Sequence, residues 1–142
     1  TKRAQALALG ADHVVDARSA NWSAEIRDIT GGSGVDVVVE HVGAATFEES
    51  VKSLAAGGRL VTCGATTGPS GLLDLVRLFS DELVVLGSRG GTADELSNLL
   101  RAAADGAIKP VIDRRFALDD VHAAFDCLER GEQFGKVVVL MA

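Results

Sequence analysis

Two rhythms of apolar and polar positions alternate along this chain. Short blocks of consecutive aliphatics recur between stretches with helical spacing. "KRAQALALGA" carries apolar residues at helical intervals and then Gly10, which predicts a helix closed by a C′ glycine. "HVVD" reads as a short strand. Asn21 is placed to N-cap a helix with Trp22, Ile26 and Ile29 on one face, and "GGSG" (Gly31 to Gly34) ends it. In "VDVVVEHVG", Val37, Val38 and Val39 are consecutive and β-branched. Both faces of that strand are therefore expected to be buried, as in the interior of a parallel sheet. Phe47, Val51, Leu54 and Ala55 form the stripe of a further helix, stopped by Gly57 and Gly58. Then follow a strand in "RLVTCGA", a helix in "LLDLVRLFSDE" and a strand in "LVVLGSR". Thr92 and Glu95 form a T-x-x-E capping box. The helix it opens shows Leu96, Leu99, Leu100 and Ala103 on one face and closes at Gly106. "VIDRRFAL", "DDVHAAFDCLERG" and "KVVVLM" complete the pattern as strand, helix, strand.

Such alternation predicts an α/β fold: a right-handed parallel sheet with helices on both faces. Composition narrows the picture. The 142 residues suit about one domain, and 47% hydrophobic with 24% charged residues is an ordinary globular mix. A net charge of −6 with no basic run argues against nucleic acid and anionic membrane as partners. No apolar run reaches the roughly 18 residues of a membrane span. "TKRAQALALG" has no signal-peptide pattern. Cys63 and Cys127 lie far apart and suggest no disulfide framework, so a reducing cytoplasm is expected. The chain starts at Thr1, inside an amphipathic helix, and is expected to be a piece of a longer polypeptide. Gly106 to Pro110 is the one candidate seam.

The candidate chemistry gathers at strand ends. In open α/β sheets, ligands bind outside the carboxyl ends of the strands. "EHVG" (Glu40 to Gly43) ends one strand and Cys63-Gly64-Ala65 ends the next, so both should border one crevice. Glu40 could serve as a base or ribose ligand, or could only cap the following helix. His41 could touch a ligand or be a satisfied loop histidine. The glycines of "GGRLVTCGATTG" lack the spacing of a phosphate loop, and "GGSGVD" precedes its strand rather than following it. "GEQFGKVVV" resembles a P-loop, but its glycines are one residue too close and a strand follows in place of a helix. His13, His41, Cys63, His122 and Cys127 show no metal-ligand spacing, so no metal site is expected within the chain. No G-x-S-x-G elbow is present, and nothing points to a reactive cysteine. "LVVLGS" (Leu83 to Ser88) is flat and charge-free, and as a last strand it would offer an edge to a second copy.

The ordered set "ALGADHVVD", "GVDVVVEHVG", "AAGGRLVTCGATTG", "LVVLGS" and "GEQFGKVVV" resembles the medium-chain dehydrogenase/reductase superfamily. That superfamily comprises zinc-type alcohol dehydrogenases and zinc-free quinone oxidoreductases. The likeness runs over essentially the whole chain and is to the second half of such an enzyme. It implies a Rossmann cofactor domain in which "HVVD" is the third strand, "VDVVVEHV" the fourth, "RLVTCGA" the fifth and "LVVLGSR" the sixth. The first two strands, with the phosphate-binding G-x-G-x-x-G, would lie outside the chain. Residues 1–108 would then be the C-terminal two-thirds of the dinucleotide-binding domain, and 109–142 a segment returning to the catalytic domain.

By the same resemblance, His41, Val42 and Gly43 would follow the ribose and adenine side of the cofactor, NAD or NADP. Cys63, Gly64 and Ala65 would lie against the nicotinamide, Ser88 and Arg89 near its carboxamide, and Lys136 close to the cofactor. No catalytic residue is assigned within the chain. Zinc, if the whole protein uses it, would be held by residues elsewhere. The implied function is hydride transfer between nicotinamide and an alcohol, carbonyl, quinone or enone, in a homodimer joined through Leu83 to Ser88. The alternative is a non-catalytic fragment serving as core and dimerisation module. An α/β methyltransferase is disfavoured, because its antiparallel seventh strand is not evident.

Overall fold

The computed structural model describes residues 2–141. They form two compact bodies: one is Leu9–Gly90, the other combines the N-terminal helix α1 (Lys2–Ala8) with the stretch from Gly91 onward.

In the first body, α2 (Trp22–Ile29) precedes three parallel strands: β1 (Val35–Glu40), β2 (Leu54–Thr62) and β3 (Val84–Gly87). Helix α3 (Phe47–Lys52) joins β1 to β2, and α4 (Leu75–Ser80) joins β2 to β3. The order β1-β2-β3 with helical crossovers is the parallel α/β arrangement the sequence predicts, a partial Rossmann sheet. Val38, Leu60 and Val85 occupy one register row. That row faces a core of Val51, Leu54, Leu60 and Leu83, against which Phe47, Leu73 and Leu78 from the crossovers also pack.

Three local expectations are corrected. The Val37–Val39 run is buried on one face only. Val38 meets the core, whereas Val37 and Val39 are 59% and 65% exposed on the other face. "HVVD" forms no strand, because a strand exists through its ladder and residues 13–16 have no ladder partner among the described residues. Leu54 and Ala55 continue the helical apolar phase but belong to β2. The helix stops at Lys52, and Val35 N–H donates to the Ser53 carbonyl at 2.9 Å, which starts the sheet five residues before Gly58. The early start leaves slack: Val35 pairs with Leu54 but Val37 with Arg59, so β2 bulges between them.

Asn21 does not cap α2 with its side chain. Its backbone is left-handed (φ 72°), outside the extended region from which an N-cap side chain reaches back. Glu49 of α3 substitutes, accepting from the backbone N–H and hydroxyl of Ser23 at 3.2 and 2.7 Å. The predicted capping by Thr92 and Glu95 is present in full.

The second body holds a β-α-β unit. Strands β4 (Ile112–Ala117) and β5 (Lys136–Leu140) pair in parallel across α6 (Val121–Glu129), whose Ala124 and Cys127 are buried. Lys2 of α1 donates to the Gly131 carbonyl at 2.6 Å. Helix α5 (Ala93–Ala104) has no buried residue.

Candidate functional site

Parallel register brings the carboxyl ends of β1, β2 and β3 side by side. Two backbone bonds carry the alignment past the strands: Cys63 N–H donates to the Glu40 carbonyl and Ser88 N–H to the Thr62 carbonyl, each at 2.9 Å. His41, Cys63, Ala65, Ser88 and Arg89 are exposed along this rim, and Gly43 is buried beneath it.

Two loops interlock to form the floor. The backbone N–H and the hydroxyl of Thr67 both donate to the Val42 carbonyl at 2.8 Å. The Thr67 hydroxyl accepts from Ala45 N–H at 3.0 Å, and Ala44 N–H donates to the Gly68 carbonyl at 3.3 Å. Main chain approaches main chain so closely that two glycines are required. A Cβ on Gly64 would stand 2.5 Å from the His41 carbonyl oxygen. One on Gly43, whose φ is +96°, would stand 2.7 Å from the Gly68 oxygen and 2.8 Å from the Ala65 Cα. Gly64 is thus already demanded by its contact with His41, before any ligand is considered.

Glu40 is placed as neither a free base nor a cap on the first backbone N–H groups of α3; it ties the loop after β1 to that helix. The residue is only 3% exposed. One oxygen, Oε1, accepts from the N–H groups of Val42 (2.6 Å) and Gly43 (3.1 Å). The other, Oε2, accepts from the hydroxyls of Thr46 (2.9 Å) and Ser50 (2.6 Å). Burial alone would raise the pKa of this carboxyl. The four donors, Ser50 foremost, outweigh it and hold the group below its ordinary value. A carboxylate so fully engaged makes a poor general base.

Beside the 42–46 loop runs a groove of about 640 Å³, walled by Ala17 to Trp22 on one side and Val42, Ala45, Thr46 and Glu49 on the other. Sequence reasoning did not single out Arg18, Asn21, Thr46 or Glu49 there. The polar turn "ARSAN" is the local signal that could have done so. Lys136 lies in the second body as the first residue of β5, paired with Ile112. Among the described residues no three His, Cys, Asp or Glu side chains gather as a metal's donor set, so they do not fit a zinc centre.

Residues 9–139 match the family model described as zinc-binding dehydrogenase. The chain belongs to this family, the zinc-type medium-chain dehydrogenases and quinone oxidoreductases. Crotonyl-CoA reductase of Streptomyces avermitilis is 35% identical over 116 residues, which are 81% of this chain and 26% of that protein. A solved NAD-dependent alcohol dehydrogenase is 37% identical with a TM-score of 0.86, over 99% of this chain and 41% of its own. A mycobacterial quinone oxidoreductase is 32% identical with a TM-score of 0.72, over 94% of this chain and 44% of its own. A mycobacterial structure solved with NADPH is 33% identical with a TM-score of 0.76, over 98% of this chain and 47% of its own. The chain therefore spans less than half the length of these medium-chain dehydrogenases. None of its described helices is long and apolar enough to cross a membrane.

Proposed function

We propose that this chain supplies the nicotinamide-facing part of the cofactor domain of an NAD(P)-dependent oxidoreductase. The observation that carries the reading is the convergence of three parallel strand ends, stitched by the Cys63–Glu40 and Ser88–Thr62 backbone bonds. His41, Val42 and Gly43 would follow the ribose and adenine side, with Cys63, Gly64 and Ala65 against the nicotinamide. Ser88 and Arg89 would lie near the carboxamide, and Lys136 is proposed as a further cofactor contact. The bound cofactor supplies or accepts a hydride at its C4, paired with an alcohol, carbonyl, quinone or enone. The chain's own contribution is to fix a ring's distance and tilt with a rigid main-chain floor, and such positioning can be worth roughly 7–11 kcal/mol.

On this reading residues 109–142 return to the catalytic domain, and a second copy joins at β3. Its outer edge has no partner strand among the described residues, and Leu86 is 49% exposed. The exposed β3 edge also keeps the alternative in play, a core and dimerisation module without catalysis. Titration of the whole protein and of residues 1–142 alone with NADH and NADPH, followed by cofactor fluorescence, separates the two. Micromolar binding with hydride transfer to an aldehyde, quinone or enone is expected of the whole protein, and weak or no binding of residues 1–142 alone. Absence of binding by the folded whole protein would sink the cofactor reading and leave the module.

A further inference from the structure

Glu40 presents an uncommon combination: a buried carboxylate whose four donors are all uncharged. A buried carboxylate without a cation is costly unless its donors are well placed. The two oxygens divide their work. Oε1 holds the backbone of Val42 and Gly43, and Oε2 holds the hydroxyls of Thr46 and Ser50 at the start and middle of α3. The side chain thus ties the loop after β1 to the helix that follows.

We propose that Glu40 is a positioning residue for cofactor binding, acting through the Val42 and Gly43 amides that it fixes. This inference rests on the cofactor role proposed for residues 41–43. If those residues border the dinucleotide, each degree of freedom lost before binding is one the ligand need not quench. The division between the oxygens makes the role separable from fold stability. Glu40→Gln can keep an oxygen at the Oε1 position for both amides and turn its NH₂ toward the two hydroxyls, which can rotate to accept. Glu40→Ala removes all four bonds. Ser50→Ala removes one bond to Oε2 and leaves the loop amides held.

The test is a fluorescence titration of the whole protein, not of residues 1–142 alone, with NADPH and NADH, alongside thermal melts and amide hydrogen exchange at Val42 and Gly43. Glu40→Ala is expected to weaken binding tenfold or more, and Glu40→Gln to restore it to within threefold. Ser50→Ala should lower Tm yet leave Kd within twofold. The proposal is overturned if Glu40→Ala binds like the unsubstituted protein, or if Ser50→Ala weakens binding in step with its loss of Tm. Exchange in the unsubstituted, cofactor-free protein decides even if Glu40→Ala does not fold. Slow exchange at both amides supports the proposal, and open-loop rates overturn it. Should the unsubstituted protein bind neither cofactor, the functional reading itself fails and takes this inference with it. That outcome is distinct from a binding protein that ignores Glu40.

Discussion

Arg27 and Arg77 donate to the same acceptor, the Leu54 carbonyl, at 2.8 and 2.7 Å. One guanidinium comes from α2 and the other from α4, and they meet where α3 gives way to β2. Arg27 also reaches the Lys52 carbonyl at 3.1 Å, and Arg77 the Val51 carbonyl at 2.9 Å. Together they add donors to carbonyls at the end of α3 and the start of β2, and they place positive charge at the helix's negative pole. Helices α2 and α4 are thereby fastened to the junction between α3 and β2.

Because the acceptor is shared, the two arginines should not act independently. Arg27→Ala or Arg77→Ala alone leaves Leu54 with one donor and should cost about 1–3 kcal/mol. The double substitution strands a buried carbonyl and should exceed the sum of the singles by about 0.5–3 kcal/mol. Urea denaturation of all four proteins measures this. Strict additivity would mean that the shared acceptor carries no coupling.

The floor's glycines should differ sharply from a glycine one strand away. Gly64→Ala forces a Cβ onto the His41 carbonyl and should destabilise by about 1–3 kcal/mol. Gly87→Ala meets no atom within 4 Å and should stay within about 0.5 kcal/mol of the starting protein. Equal melting temperatures for the two variants would contradict the packing described.

Acid should release the Glu40 clasp. The folded-state pKa of this carboxyl lies below its ordinary value, because its donors outweigh burial. Its contribution is therefore complete above the unfolded pKa of about 4.3 and is lost as pH falls through the folded value. Glu49 shifts in the same direction, chiefly through Ser23, so total stability mixes both groups. The stability gap between the unsubstituted protein and Glu40→Gln isolates Glu40. It should be constant from pH 7 to about 5 and narrow below that. A gap that widens toward acid would reverse the sign of the argument.

The Thr92–Glu95 capping box serves a helix with no buried residue, so its effect should be local. Thr92→Ala is expected to cost about 1 kcal/mol of α5 stability. Amide exchange within residues 93–104 should quicken by roughly fivefold, while the melt of the Leu9–Gly90 body stays unchanged. Uniform acceleration across both bodies would argue that α5 is cooperative with the rest.

The sequence is legible where one physical rule decides. Three β-branched valines mark β1, the T-x-x-E spacing marks α5, and "LVVLGS" contains β3. It misleads where a neighbour decides. Leu54 continues the apolar phase of α3, but two arginines distant in sequence end that helix and the Val35–Ser53 bond opens a strand instead. Asn21 has the chemistry of an N-cap, yet Glu49 does the capping, because the left-handed backbone at Asn21 turns its side chain away. Val37 and Val39 look like interior residues, and whether they are covered is not encoded in their own spacing. At the candidate site the convergence of the strand ends was readable. The role of Glu40 was not, because its partners at 46 and 50 are hydroxyls that only folding brings to it.

The main-chain floor beneath the strand ends has a consequence for how such a site can diversify. Its shape is set by carbonyls, amides and absent Cβ atoms at Gly43 and Gly64, whereas His41, Cys63, Ala65 and Ser88 are exposed residues. The residues at those positions can then change while the platform keeps its form. A family with one scaffold and many chemistries is what such a division of labour permits.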